Sequence, residues 1–306
     1  MYQGGYCQYA IGEDTEVQDM SPKLLVTGGF VKTAMLEEEW YEDVDDPDAL
    51  IRQVKNGGIK ADLLSFWQRF PHTKPRFSYR MEWDSIAVLR IESYRQWFEK
   101  QIDTNARRGI KKAISKGVEV RMCEFNDDFV RGMTTIFNET PVRQGRRFWH
   151  YGKNFETVKK EFARYLFREE LIGAYYKGEL VGFVMLCKAG PYALPGQILS
   201  MVKHRDKSIN NALLARAIQL CEERHIPYLV YYLWGRGSLS EFKRRNGFQE
   251  TKVPRYYVPL TIKGSLALRC NLHRGVEGIF PARLIDAMKD VRSKLSYLWY
   301  GSRAAA

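Results

Sequence analysis

Five consecutive positions, Lys203, His204, Arg205, Asp206 and Lys207, set three fixed cations, a histidine and an acid at one junction. An apolar run ends just before them at Val202, and a helical run opens just after them at Ser208. Ser208 reads as an N-cap, so the first free amide N–H groups of the helix point back toward the strand end. The helix dipole adds positive potential at the same place. Strand end, cations and helix N-terminus together make an anion site suited to phosphate, with Met201, Val202, Lys203, Arg205, Lys207, Ser208, Asn210 and Asn211 as its expected lining. Backbone N–H groups near 200–202 are placed to polarise a carbonyl and to steady a tetrahedral oxyanion. An attacking amine must also lose a proton, to a base or a water chain. Ser200, His204 and Tyr232 are the candidates for that chemistry, with Tyr231 and Asp206 beside them, and none stands out as the base.

A second cluster lies at 140–153, TPVRQGRRFWHYGK. Arg143, Arg146, Arg147 and Lys153 alternate there with Phe148, Trp149, His150 and Tyr151. Such a mixture grips a phosphate and stacks on a ring, which reads as an acceptor or lid loop. The alternative is a connection whose aromatics enter the core. Along 104–116, Ile110, Ala113 and Ile114 form an expected buried stripe, while Arg107 and Lys111, then Arg108 and Lys112, repeat like charge at i,i+4. Those pairs repel, which favours an anionic partner.

These residues need elements to hold them. LIGAYYKGELVGFVMLCKA reads as a hairpin turning at Lys177 and Gly178, and GQILSMV as a third strand. Residues 208–224 read as a helix with Ile209, Leu213, Ala217 and Leu220 on one stripe. PYLVYYLW is a fourth strand. SLSEFKRRNGF is a short helix with a Ser238–Glu241 capping box and Gly247 in the left-handed position after it. RYYVPLTI is a last strand. Upstream, PKLLVTGGFVKTAML reads as a hairpin and DDPDALIRQVKNGG as a helix stopped at Gly57. FSYRMEW and IAVLRI read as strands. A helix from Asp103 or Thr104 to Gly117, a strand over 118–123, and helices over 127–139 and 155–169 follow. The tail, 262–300, reads as two amphipathic helices.

Apolar residues make up 45% of the 306, which excludes a disordered chain and supports one large domain or two packed ones. No apolar run reaches the roughly 18–20 residues of a membrane span, and no signal pattern opens the chain, so a cytoplasmic protein is expected. Contact of the basic tail with an anionic membrane is the lesser alternative to packing against the body. Cys7, Cys123, Cys187, Cys221 and Cys270 are scattered and join no histidine cluster, so neither a metal nor a disulfide framework is expected. Residues 1–50 carry twelve acids against two lysines, a net of −10, so the remainder holds +22 against a total of +12. A basic body of that size suits a nucleotide cofactor, RNA, an acidic carrier protein or a phospholipid surface.

The order helix, helix, three antiparallel strands, helix, strand, helix, strand over 124–260 resembles the GNAT acyltransferases. LIGAYYKGELVGFVML looks like that family's central hairpin, and SLSEFKRRNGFQE like its closing helix and turn. TNARRGIKKAISKGVEVR is similar to a segment of the Fem-type family, whose members use aminoacyl-tRNA and contain two GNAT-like halves. The resemblance implies an α/β (α+β) fold, a GNAT-like mixed sheet with helices on both faces. It implies a degenerate GNAT-like half over 1–123 with an acidic start, an acyltransferase domain over 124–261, and a helical tail over 262–306. It places the pyrophosphate of a pantetheine arm at 203–211. Ile209, Asn210 and Asn211 stand where that family has glycines, and Phe242 where it often has a proton-donating tyrosine. The leading expectation is transfer of an acyl group from a thioester, acyl-CoA or acyl-carrier pantetheine, to a small-molecule or peptide amine. The alternatives are aminoacyl-tRNA-dependent peptide-bond formation and, more weakly, non-enzymatic RNA binding. An acidic carrier protein or a tRNA is the corresponding partner.

Overall fold

Gly28 is required by the first turn. Its φ is +94°, and a Cβ there would run into the Val31 carbonyl oxygen. Around it Leu24–Thr27 (β1) pairs antiparallel with Thr33–Leu36 (β2). The structure, a computed structural model, describes residues 23–274 except 144, 165, 168 and 236. Within them the chain divides into two units, 23–86 with 250–274, and 87–249.

In the first unit Pro47–Asn56 (α1) follows the hairpin, with Pro47 at its first position and the Asp46 carboxylate accepting from the Ala49 N–H. Leu63–Trp67 (β3) is buried at every residue, and Arg80–Arg90 (β4) runs out of this unit. No sequence period marks β3, because Leu63, Leu64, Phe66 and Trp67 are apolar on both faces around a single buried Ser65. The sequence reading also split β4 in two and began it too early, at Phe77.

The second unit opens with Tyr94–Gln96 (α2) and a π turn, Trp97–Gln101. Thr104–Ser115 (α3) is capped by Asp103, as expected. Glu119–Cys123 (β5), Asp127–Asn138 (α4), the small hairpin Val142–Arg143 (β6) and Arg146–Arg147 (β7), and Phe155–Ala163 (α5) follow. Next come Glu169–Tyr176 (β8), Glu179–Ala189 (β9) and Tyr192–Ser200 (β10). A 3-10 turn, Val202–Lys207, leads into Ile209–Glu223 (α6), then Tyr228–Leu233 (β11) and Ser238–Arg245 (α7). The chain then returns to the first unit as Gln249–Pro259 (β12) and Ile262–Arg269 (α8).

The first unit's sheet has the order β1-β2-β3-β12-β4. Its core gathers Leu36, Leu50, Val54, Leu64, Phe66 and Tyr256. In the second unit the end of β4 edges the order β4-β11-β10-β9-β8-β5. Strands β5, β8, β9 and β10 are antiparallel, and β10 is parallel to β11. Neighbouring residues of a strand point to opposite faces. On β9, Phe183 meets Phe129 and Phe137 of α4, while Gly182 receives the Ile209 side chain of α6. Helices therefore cover both faces of this mixed sheet.

Four local expectations are corrected. Ile114 is 68% exposed, outside the buried stripe of Ala106, Gly109, Ile110 and Ala113. Ser208 stands at the N-cap with φ +54° and makes no side-chain cap bond, since a left-handed residue aims its hydroxyl away from the first turn. The capping box at Ser238 does not form: Gly237 is the N-cap, and Glu241 turns to Arg244 and Arg245. The helix begun at 155 stops at Ala163, where the chain turns toward β8. Gly247 does take φ +84° after α7. Of the tail only α8 and the turn Leu272–Arg274 are described; the second tail helix and residues 1–22, the start of the acidic first fifty, lie outside the described residues. Among the described residues no helix is long and apolar enough to cross a membrane, and no group of three His, Cys, Asp or Glu could hold a metal ion.

Candidate active site

Strands β10 and β11 share a register only at Tyr192 with Tyr228 and Ala193 with Leu229. Beyond that point β10 shifts register against β9 between Pro195 and Gln197. Proline has no N–H for a ladder, and a bulge bends its strand. Past Ala193 and Leu229 no paired register joins the two strands among the described residues, and the region between their C-terminal ends is the wedge. Tyr232 spans it low down, its hydroxyl donating to the Gly196 carbonyl at 3.3 Å from a backbone at φ +49°. A non-glycine residue held there inside a strand is the kind of strain that gathers at functional sites.

At the end of β10 the expected anion-binding amides exist, and they already hold an anion. The Val202 N–H donates to Glu139 Oε2 at 2.6 Å and the Lys203 N–H to Glu139 Oε1 at 2.8 Å. Arg143 donates to the same Oε2 at 3.1 Å, to the Ser200 carbonyl at 2.8 Å and to the Ile136 carbonyl at 3.1 Å. The Met201 N–H is bound to the Val181 carbonyl. The amides of 201–203 are thus taken, so they do not form the oxyanion hole read from the sequence, and the strand-end side of the expected phosphate site already carries a carboxylate.

Most of the cations beside them are neutralised. Lys203 pairs with Glu179 at 3.0 Å, and Lys207 pairs with Asp206 at 3.2 Å while lying over the Tyr176 ring. Arg205 is exposed and has no ion pair among the described residues. His204 packs edge-on against Tyr176, and burial, then the charges of Lys207 and Lys203, hold its pKa below the ordinary histidine value. Asn211 fills the corner at the head of α6: it reaches Asn246, and a Cβ on Gly109 of α3 would meet its side chain at 3.2 Å. Asn210 sits in the same first turn with a buried Oδ1.

The three catalytic candidates have different neighbours. Ser200 packs against Gly182, His204 against Tyr176, and Tyr232 against Gly196. In the loop, Arg146 and Arg147 are exposed, Tyr151 is 40% exposed, and Trp149 lies half out under the Lys153 ammonium at 3.8 Å. His150 is no acceptor contact. Its ring is fully buried, stacked on Phe137 at 4.1 Å and 5°, and burial, with Lys153 and Arg143 nearby, pushes its pKa down to about 3. Arg143 is likewise committed, holding the loop to the end of β10.

Two residues escaped the sequence reading. Glu139 carries no local signal, since its amide partners lie more than sixty positions away. Lys243 looked like one cation among several in KRR. It is 2% exposed, donates to the Leu233 carbonyl at the end of β11 at 2.7 Å, and lies 4.7 Å over the Tyr231 ring. Burial lowers its pKa to about 8. Its place beside Phe242 on the inward face of a short amphipathic helix was the available clue.

No protein-family model matches the chain, and no curated protein does. Solved structures do. FemX aligns with a TM-score of 0.57 at 12% identity, covering 85% of this chain and 89% of that one. The C-terminal DUF2156 domain of a candidate lysylphosphatidylglycerol synthetase from Agrobacterium fabrum aligns at 0.56 and 13%, covering 84% and 86%. L-PGS from Bacillus licheniformis aligns at 0.55 and 14%, covering 80% and 84%. At such identities the likeness is one of fold. The fold is the one the resemblance implied, GNAT-like and of Fem type.

Proposed function

We propose that the chain is an aminoacyltransferase, taking its aminoacyl group from an aminoacyl-tRNA ester and passing it to an amine in the wedge between β10 and β11. One observation carries the choice of donor: the Glu139 carboxylate occupies the Val202 and Lys203 amides. A pyrophosphate at the strand-end side of the 203–211 junction would meet a fixed negative charge, which disfavours a CoA or carrier pantetheine in the usual pose. A tRNA end needs no such cradle, since its phosphates can be met elsewhere. The outward face of α3 offers Arg108, Lys111 and Lys112, without an ion pair among the described residues, and both lysines are exposed. The Fem-type fold supports the same reading.

In this reaction the amine nitrogen bonds to the ester carbonyl carbon, negative charge gathers on the carbonyl oxygen, and the ribose oxygen leaves with the proton the amine gives up. The oxygen needs a cation or donors, and the amides of 201–203 are engaged. Lys243 is the group we assign to it: its ammonium is desolvated, and an electrostatic contact strengthens where water is excluded. The tyrosine acid of thioester enzymes, replaced by Phe242, is not called for. A thioester donor meets the Glu139 carboxylate at the junction, and a purely RNA-binding role makes no use of the desolvated Lys243 ammonium beyond its bond to Leu233.

Calorimetric titration separates these. Uncharged tRNA is expected to bind with saturation while CoA and acetyl-CoA give no heat. Micromolar acetyl-CoA binding would overturn the donor assignment.

A further inference from the structure

An open cavity of about 410 Å³ lies at the C-terminal end of α4, bounded by Thr134, Thr135, Asn138, Glu139, Met201 and Lys203. Its polar walls share one property. Thr134 donates its hydroxyl proton to the Val130 carbonyl at 2.8 Å and Thr135 to the Arg131 carbonyl at 3.0 Å. Asn138 gives its amide hydrogens to the Thr134 and Lys153 carbonyls, both at 2.9 Å. Glu139 is a carboxylate and has none to give. What these side chains still offer is lone pairs, Asn138 the least, because its Oδ1 already accepts from the Gly152 N–H at 2.7 Å. Val202 and Arg143 share Glu139 Oε2, whereas Oε1 has the Lys203 N–H alone, which leaves an acceptor direction on it. The C-terminal end of a helix is the negative pole of its dipole, and the last turn of α4 has no basic residue. Lys203 is the cation on the wall, and its ammonium is drawn off to Glu179.

A wall of acceptors at a negative pole fits a compact cation with several protons to donate. We infer that this cavity seats a primary ammonium, with Glu139 as its counter-ion and the two threonine hydroxyls as neutral acceptors. Resting on the aminoacyl-transfer reading, that ammonium is the α-amino group of the amino acid carried by the donor. It is not the attacking amine, because a carboxylate favours the charged form and the attacking nitrogen must be neutral. Glu139 is then a specificity residue, which reads whether the incoming aminoacyl group has a free amino end.

The test is calorimetry on the full chain with alaninamide, leucinamide and lysinamide, each against its N-acetyl counterpart. At pH 6.5 the α-ammonium is charged, and at pH 9 it is largely lost, its pKa being roughly 8. The expected result is saturable binding of at least one amide at pH 6.5, weakened at least ~10-fold by N-acetylation or by pH 9. Glu139→Gln and Thr135→Leu should each weaken it by a similar factor. Thr135 is exposed, so its leucine fills the cavity without disturbing the Glu139 amides, and it decides the matter should the Glu139→Gln protein not fold. No saturable binding of any amide, equal affinity for the N-acetyl forms, or unchanged binding in Thr135→Leu overturns the inference. Efficient transfer from N-acetyl-aminoacyl-tRNA would remove the ammonium seat and leave the proposed function standing. Amide binding without tRNA-dependent transfer would do the reverse.

Discussion

Glu139 is largely buried among three donors, two main-chain N–H groups and the Arg143 guanidinium. Replacing it with alanine bares the two amides and leaves Arg143 only its Ser200 and Ile136 carbonyls, at a cost of ~1–3 kcal/mol in unfolding free energy measured by urea titration. Millimolar pyrophosphate should restore part of that loss by occupying the bared amides, and no recovery would contradict the reading of this corner as an anion site filled from within. Lys243 separates stability from activity. Its pKa is about 8 in the folded protein and near 10.4 unfolded, so between those values the unfolded chain binds more protons and stability rises with pH. Activity that relies on the ammonium falls over the same rise. Lys243→Met should therefore leave stability at pH 7 unchanged or higher, while slowing transfer ~10²-fold or more. A variant that keeps its rate would remove Lys243 from the chemistry. His150 matters at low pH instead. With its pKa near 3 against about 6.5 unfolded, its contribution is full above pH 6.5 and is lost as pH falls, by ~1.4 kcal/mol per unit at most. His150→Phe should flatten the acid limb of the stability curve; an unchanged limb would place the acid sensitivity elsewhere.

Among the elements, α3 carries the sharpest expectation. Changing Arg108, Lys111 and Lys112 to glutamine removes three phosphate contacts, so the slope of log affinity for tRNA against log salt should fall by roughly 2–3. The same change relieves like-charge repulsion within the helix, by a few tenths of a kcal/mol per pair. Weaker binding with a slightly more stable fold is the signature; an unaltered salt slope would move the RNA surface away from α3. The order of these elements was legible because each has its own period and stop signal: the Lys177–Gly178 turn, Asp103 ahead of α3, Gly247 after α7. The parallel pairing of β10 with β11 was legible too. Backbone conformation was not. Nothing in the letter serine reveals φ +54° at Ser208, and so the missing cap there could not be read. A one-dimensional pattern also registers attraction along a helix or strand and misses groups distant in sequence, which is why Glu139 went unseen and why the choice between an acceptor loop and a buried ring stayed open for His150.

At the scale of the whole molecule the charge is divided between an acidic first fifty residues and a body of +22. That division motivated an anionic partner, and the described structure sharpens the motive by subtraction: many of the cations near the wedge are paired internally, so α3 and Arg205 remain for a partner. The first unit buries its own charge, with Arg255 inaccessible to solvent, bonded to Asp84 and Glu39, and lying 4.4 Å from the Trp67 ring centroid. That network orders β12 against β3 and lies within the first unit, apart from the wedge chemistry. The central claim concerns the donor, and single-turnover transfer tests it most directly. A tRNA pool charged with labelled amino acids is mixed with excess protein and a lysine-containing peptide, with and without prior RNase treatment. The labelled amide should form from intact aminoacyl-tRNA and vanish after RNase. Equal product in both samples, or product only when an acyl-CoA is supplied, would contradict it.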